Sequence, residues 1–107
     1  MQGKAALEHG EPEAAVKWFR RSVEAEPHFK TFEQLYLCYA RLGEQTAALE
    51  AIQNAYTLNS RSDKTAYLYA CQLRDCGDLP LSREIAGEIS RRNPSYRPKE
   101  IERMLKK

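Results

Sequence analysis

"GEPEAAVKWFRRSVEAEP", residues 10–27, is a short stretch of helical periodicity with a glycine before it and a proline after it. Ala14, Ala15, Trp18, Phe19, Ser22 and Val23 fall at the three-and-four spacing that gathers side chains on one face of a helix. Pro12 suits the first turn, where a backbone N–H has no partner to lose. Pro27 disfavours helical geometry in the residue before it. A helix with fixed ends is expected between the two prolines.

The punctuation returns along the chain. Gly10, Gly43 and Gly77 are separated by 33 and 34 residues, and 17 positions after them stand Pro27, Ser60 and Pro94. Ala47, Ala48, Ile52, Ala55 and Tyr56 follow Gly43 in helical period; Leu81, Ser82, Ile85, Ala86 and Ile89 follow Gly77. Further amphipathic runs precede these glycines, namely Phe32, Leu35, Tyr36, Tyr39 and Leu42, then Ala66, Tyr69, Ala70 and Leu73. Gln2 to His9 reads as the last turns of a third. The unit is helix, turn, helix. A glycine just past a helix adopts the left-handed conformation at no steric cost and lets the last carbonyls find donors, so each of the three is expected to end a first helix. Pro12 and Pro80 are expected to open the second helices. Such pairs cannot bury their apolar faces alone, which predicts stacking.

This register of glycine, small residue, aromatic and proline resembles the tetratricopeptide repeat, a 34-residue helical hairpin. The first unit carries Gly3, Gly10, Ala15, Phe19, Ser22 and Pro27; the second Phe32, Leu35, Tyr39, Gly43, Ala48, Ile52 and Ala55. The third carries Ala70, Leu73, Gly77, Ser82, Ala86, Ile89 and Pro94, so the likeness covers roughly residues 2–96. Departures are Tyr36 at a position the family keeps small, Ser60 for a proline, one residue fewer between Pro27 and Phe32, and a first helix without its front half. The chain reads as a piece of a longer array or one with an eroded start. The resemblance implies an all-α, right-handed superhelix of stacked hairpins in one domain, with repeats at about 1–28, 29–62 and 63–96. Beyond Pro94, "SYRPKEIERMLKK" resembles the capping helix of such an array, over about 98–106, with Ile101, Met104 and Leu105 as one apolar stripe.

Composition narrows the function classes. With 42% hydrophobic and 30% charged residues a folded domain is expected rather than a disordered chain. A net charge of +2 makes the whole molecule a poor attractor of polyanions. No apolar run is long enough to span a bilayer and no secretory leader follows Met1, so a soluble protein is expected. Cys38, Cys71 and Cys76 fit neither a disulfide framework nor a zinc site, and reduced thiols in the cytoplasm are the simplest reading. His9 and His28 lie next to helix ends, and neither a nucleophile motif nor a phosphate-binding glycine loop is present. No enzyme, metal or cofactor is expected. Trp18, beside Phe19 in mid-helix, is expected in the core or in packing between repeats. Arg91, Arg92, Arg97, Lys99, Arg103, Lys106 and Lys107 make the one basic region, read as the solvated face of the cap in preference to a weak nucleic-acid site with Tyr96 stacking on a base.

The family's groove, lined by the first helices, generally holds peptides or helices of partner proteins. Mapped here, the resemblance implies a partner-binding surface of Lys4 and Glu8, then Lys30, Glu33, Gln34, Leu37 and Arg41, then Lys64, Tyr67, Leu68, Cys71, Arg74 and Asp75. Leu37, Tyr67, Leu68 and Cys71 would be apolar anchors and Lys30, Lys64, Arg41 and Arg74 the cations around them. The clamp by which some relatives hold chaperone tails is not expected, since only Lys64 matches, against Lys4, Gln34 and Leu68. The expected function is a non-catalytic scaffold for a protein or peptide, without a membrane. Competing readings are self-association through the shortened first unit, an accessory domain of a larger enzyme, and weak nucleic-acid binding. The regular base-reading positions of a pentatricopeptide array are not seen at Lys4, Leu37 and Cys71.

Overall fold

The computed structural model describes residues 12–106. Gly10, the run Gln2–His9 and the groove positions Lys4 and Glu8 therefore lie outside the described residues. Among the described residues six helices follow one another: α1 (Pro12–Ala25), α2 (Phe29–Arg41), α3 (Gln45–Leu58), α4 (Asp63–Asp75), α5 (Leu79–Arg92) and α6 (Pro98–Leu105). There is no strand among the described residues. Each helix packs chiefly on the one before and the one after it, so the body is elongated, 39 × 24 × 20 Å.

The turns work as their glycines require. Gly43 and Gly77 have φ of +74° and +91°. At the end of α2 the Gly43 N–H donates to the Ala40 carbonyl at 3.2 Å and the Glu44 N–H to Tyr39 at 2.9 Å. At the end of α4 the Gly77 N–H donates to Arg74 at 3.0 Å and the Asp78 N–H to Leu73 at 2.8 Å. These paired bonds satisfy carbonyls that a helix end would leave open, and they need the left-handed residue between them. Helix starts are capped by different side chains. His28 Nδ1 accepts from the Lys30 N–H, Ser62 Oγ from the Thr65 N–H and Asp78 Oδ1 from the Leu81 N–H. Ser60, where a proline is usual, thus leads into a turn whose cap is Ser62.

The core runs along the stack. Ala15 and Phe19 of α1, Leu35, Tyr36 and Cys38 of α2, and Ala48, Ala51, Ile52 and Ala55 of α3 form one cluster. Ala66, Tyr69, Ala70 and Leu73 of α4, Ile85, Ala86 and Ile89 of α5, and Ile101 and Met104 of α6 continue it. Tyr36 fits this packing, buried against its neighbours. Two expectations are corrected. Trp18 is 45% exposed while Phe19 is buried, because adjacent residues point about 100° apart and only one can face the neighbouring helices. Leu105 is likewise exposed, lying at the edge of the stripe formed by Ile101 and Met104.

Polar links hold neighbouring helices in register, one within the third hairpin and one between the second and third. Asp63, in the first turn of α4, receives two bonds from the Arg92 guanidinium at 3.0 and 2.7 Å and one from the Asn93 amide at 3.0 Å. These donors, Asn93 foremost and then Arg92, hold the Asp63 carboxyl below the usual carboxylate range. Gln72 of α4 reaches Gln45 at the start of α3, donating to its carbonyl and side-chain oxygen at 3.3 and 3.0 Å.

Candidate functional site

The helices α2 and α4 approach side by side through a buried polar contact. The Thr65 hydroxyl donates to Glu33 Oε2 at 3.2 Å, with both residues out of solvent. Glu33 is therefore engaged between the helices instead of being presented to a partner, which separates it from the other expected groove residues. A helix turn places Lys30, Gln34, Leu37 and Arg41 in one stripe on α2. Lys30, Leu37 and Arg41 are exposed and Gln34 is half-buried. On α4 the corresponding stripe is Lys64, Tyr67, Leu68, Cys71, Arg74 and Asp75. Its apolar members Tyr67, Leu68 and Cys71 are half-buried against the core, while Lys64, Arg74 and Asp75 are exposed.

The side chains differ in what they can offer. Leu37 keeps 39% of its surface in water, so it is the apolar residue of this face with most to gain from a partner. Burial pushes the Tyr67 phenol up, and its hydrogen bond to Cys71 adds to this. Burial also pushes up the Cys71 thiol. Both groups stay protonated near neutrality and act as neutral polar surface. The exposed charges of the face are the cations Lys30, Arg41, Lys64 and Arg74 and the Asp75 carboxylate, which lies 3.6 Å from Arg74.

One participant escapes a reading by helical period. Arg97 lies between α5 and α6 with φ of 40°, the left-handed region that a side chain makes unfavourable. Its guanidinium sits over the Tyr67 ring, 4.9 Å from the centroid, and 5.9 Å from that of Tyr96. Tyr96 meets Tyr67 edge to face at 6.1 Å. Cation–π and edge contacts thus bring the segment before α6 onto the α4 stripe. Pro98 was a signal for a helix start, but nothing in the sequence foretold the bend that brings Arg97 to Tyr67. The basic C-terminal stretch is in consequence divided: Arg92 is tied to Asp63, Arg97 to the tyrosines, and Lys106 to Glu102 at 2.9 Å.

No group of three or more His, Cys, Asp or Glu residues that could hold a metal ion occurs among the described residues. No helix among them is long and apolar enough to cross a membrane. Cys38, Cys71 and Cys76 are free thiols.

Comparison with known proteins places this geometry. No family model and no curated protein matches the sequence. Solved structures do match. Yeast Tom70 aligns over 98% of this chain at 19% identity with a TM-score of 0.87, the match spanning 21% of the Tom70 chain. The type III secretion chaperone SycD of Yersinia enterocolitica, solved in complex with a peptide of the translocator YopD, aligns over 98% at 14% identity and a TM-score of 0.83. The first TPR domain of Spaghetti (RPAP3), bound to the HSP90 peptide SRMEEVD, does so over 98% at 16% identity and 0.79. The match covers 85% of each of these last two chains. The chain has the tetratricopeptide-like fold, an all-α solenoid of stacked helical hairpins.

Proposed function

We propose that the chain is a non-catalytic scaffold that docks an extended or helical segment of a protein partner across α2 and α4. The observation that carries this reading is Leu37, exposed on a stripe with Lys30, Gln34 and Arg41 on a helix that meets α4, which bears Tyr67, Leu68 and Cys71, through the Glu33–Thr65 contact. Apolar anchors supply most of the affinity in such an interface and surrounding charges orient the partner. Lys30, Arg41, Lys64 and Arg74 would favour acidic groups flanking an apolar side chain. SycD and RPAP3, which share the fold, were solved with bound peptides. Cytoplasmic residence is part of the same proposal, suggested by three free thiols. A second reading, self-association through α1, draws on the exposed Trp18 and would appear as mass rising with concentration in light scattering.

The test is partner capture from lysate by wild type beside Tyr67→Ala/Leu68→Ala and Leu37→Ala/Lys30→Glu. Because Tyr67 also supports Arg97, the second pair, both exposed, guards against a loss caused by loosened packing. Removing one anchor is expected to weaken binding about tenfold. If every specific partner survives both changes while the helical content is unaltered, the groove assignment is wrong.

A further inference from the structure

We propose a second docking site, for an acidic protein segment bearing one large apolar side chain, in the open seam between the start of α5 and the end of α6. The cavity there is about 590 Å³. Leu79, 41% exposed, and Met104 line it, and Arg74, Arg83, Arg103 and Lys106 place four cations around it. Its counterpart one repeat earlier shows what such a seam does. Gln45, Ala48 and Gln72 occupy positions 34 residues before Leu79, Ser82 and Lys106. Their seam holds only about 180 Å³, with Tyr36 lining it and Gln72 bonded to Gln45 across it.

The two seams differ in chemistry as well as size. The internal one is neutral apart from the Asp75 carboxylate, contributed by the last turn of α4. In the terminal one Lys106 replaces Gln72, Leu79 replaces Gln45, and Arg74 stands 34 residues after Ala40. Arg83 and Arg103 have no ion-pair partner among the described residues. Lys106 and Arg74 have only the solvent-exposed Glu102 and Asp75. Last-turn cations such as Arg74 and Arg103 relieve the negative ends of their helices, but Arg83 is near the positive end of α5, where the dipole gives it nothing. Excess positive charge beside an exposed Leu79 fits an occupant that brings carboxylates together with an apolar side chain for the floor.

This site lies apart from the Leu37 face and shares only Arg74 with it, so the two proposals fail separately. The probe is a blocked, fluorescently labelled peptide of glutamate and leucine, compared with its glutamine–leucine counterpart and with a single-stranded oligonucleotide. Binding is followed by anisotropy and mapped by amide chemical shifts on the whole chain. The glutamate peptide is expected to bind at least about tenfold tighter than the glutamine one, with shifts at Leu79–Arg83 and Arg103–Lys106. Arg83→Glu/Arg103→Glu should abolish the shifts at Leu79–Arg83 and Arg103–Lys106 with the melting temperature unchanged, and Leu79→Gln should weaken binding there several-fold. Leu37→Ala/Lys30→Glu should leave the shifts at those residues intact. Equal affinity for the two peptides, shifts confined to α2 and Tyr67, indifference to the charge reversal, or tighter binding of the oligonucleotide would each overturn the proposal.

Discussion

Three glycines with different surroundings should respond to the same methyl group with opposite signs. At Gly43 and Gly77 an added Cβ would meet no atom within 4 Å, so any cost of Gly→Ala is in the backbone. Holding an L-residue in the left-handed region costs about 1–2 kcal/mol. Reduced freedom of the unfolded chain returns about 0.4–1 kcal/mol of this. A net loss near 1 kcal/mol is expected at each, larger at Gly77, whose φ of +91° is farther from the left-handed minimum than the +74° of Gly43. Gly87 is inside α5, and its Cβ would lie 3.5 Å from an Arg91 nitrogen and 3.9 Å from a Leu105 methyl, both ordinary contacts. Gly87→Ala should therefore stabilise by about 0.5–1 kcal/mol, the helix-propensity difference. In urea titrations followed by circular dichroism, with unchanged slopes, the midpoint should fall by about half a molar for Gly77→Ala and rise by a comparable amount for Gly87→Ala. A neutral Gly77→Ala would refute the assignment of the turns, and a Gly87→Ala that destabilises would refute the room read beside that position in α5.

Asp63→Asn should lower stability at neutral pH by about 1 kcal/mol, since the lost pairing with Arg92 and Asn93 is partly exposed. The folded carboxyl lies below its unfolded value of about 3.9, so its contribution is complete above that pH and disappears as pH falls through the folded value. Melts across the acid range should accordingly show wild type and variant converging, and a constant gap would contradict the linkage. The thiols should separate by accessibility when a chromogenic disulfide is added at neutral pH. Cys76 is exposed and should react first, whereas burial shields Cys38 and pushes both its thiol and that of Cys71 up. Three equal rates would mean that the core around Cys38 opens freely.

The turns and the core were legible because each is specified locally. Glycine before proline or a capping residue marks where one helix ends and the next begins, and the resulting bonds at Gly43 and Gly77 involve only residues five or fewer apart. Apolar period likewise located Ile52, Ala55, Ile85, Ala86 and Ile89. Period alone leaves a face about 100° wide, however, and cannot choose between neighbours such as Trp18 and Phe19. The candidate site was less readable for a related reason. Glu33 is an acidic residue on the expected face, yet its partner Thr65 is 32 residues away and draws it inward. Arg97 reaches Tyr67 only through a bend whose left-handed residue is neither glycine nor asparagine, so composition gives no warning.

Because every helix leans mainly on its immediate successor, the molecule has the mechanics of a short spring. Small rotations at each of the five junctions would add along the axis, since among the described residues each helix has its main contacts with its neighbours in sequence. Curvature can thus be traded against the girth of whatever lies along it. A thick helix and a thin extended strand would find the same row of side chains at different radii.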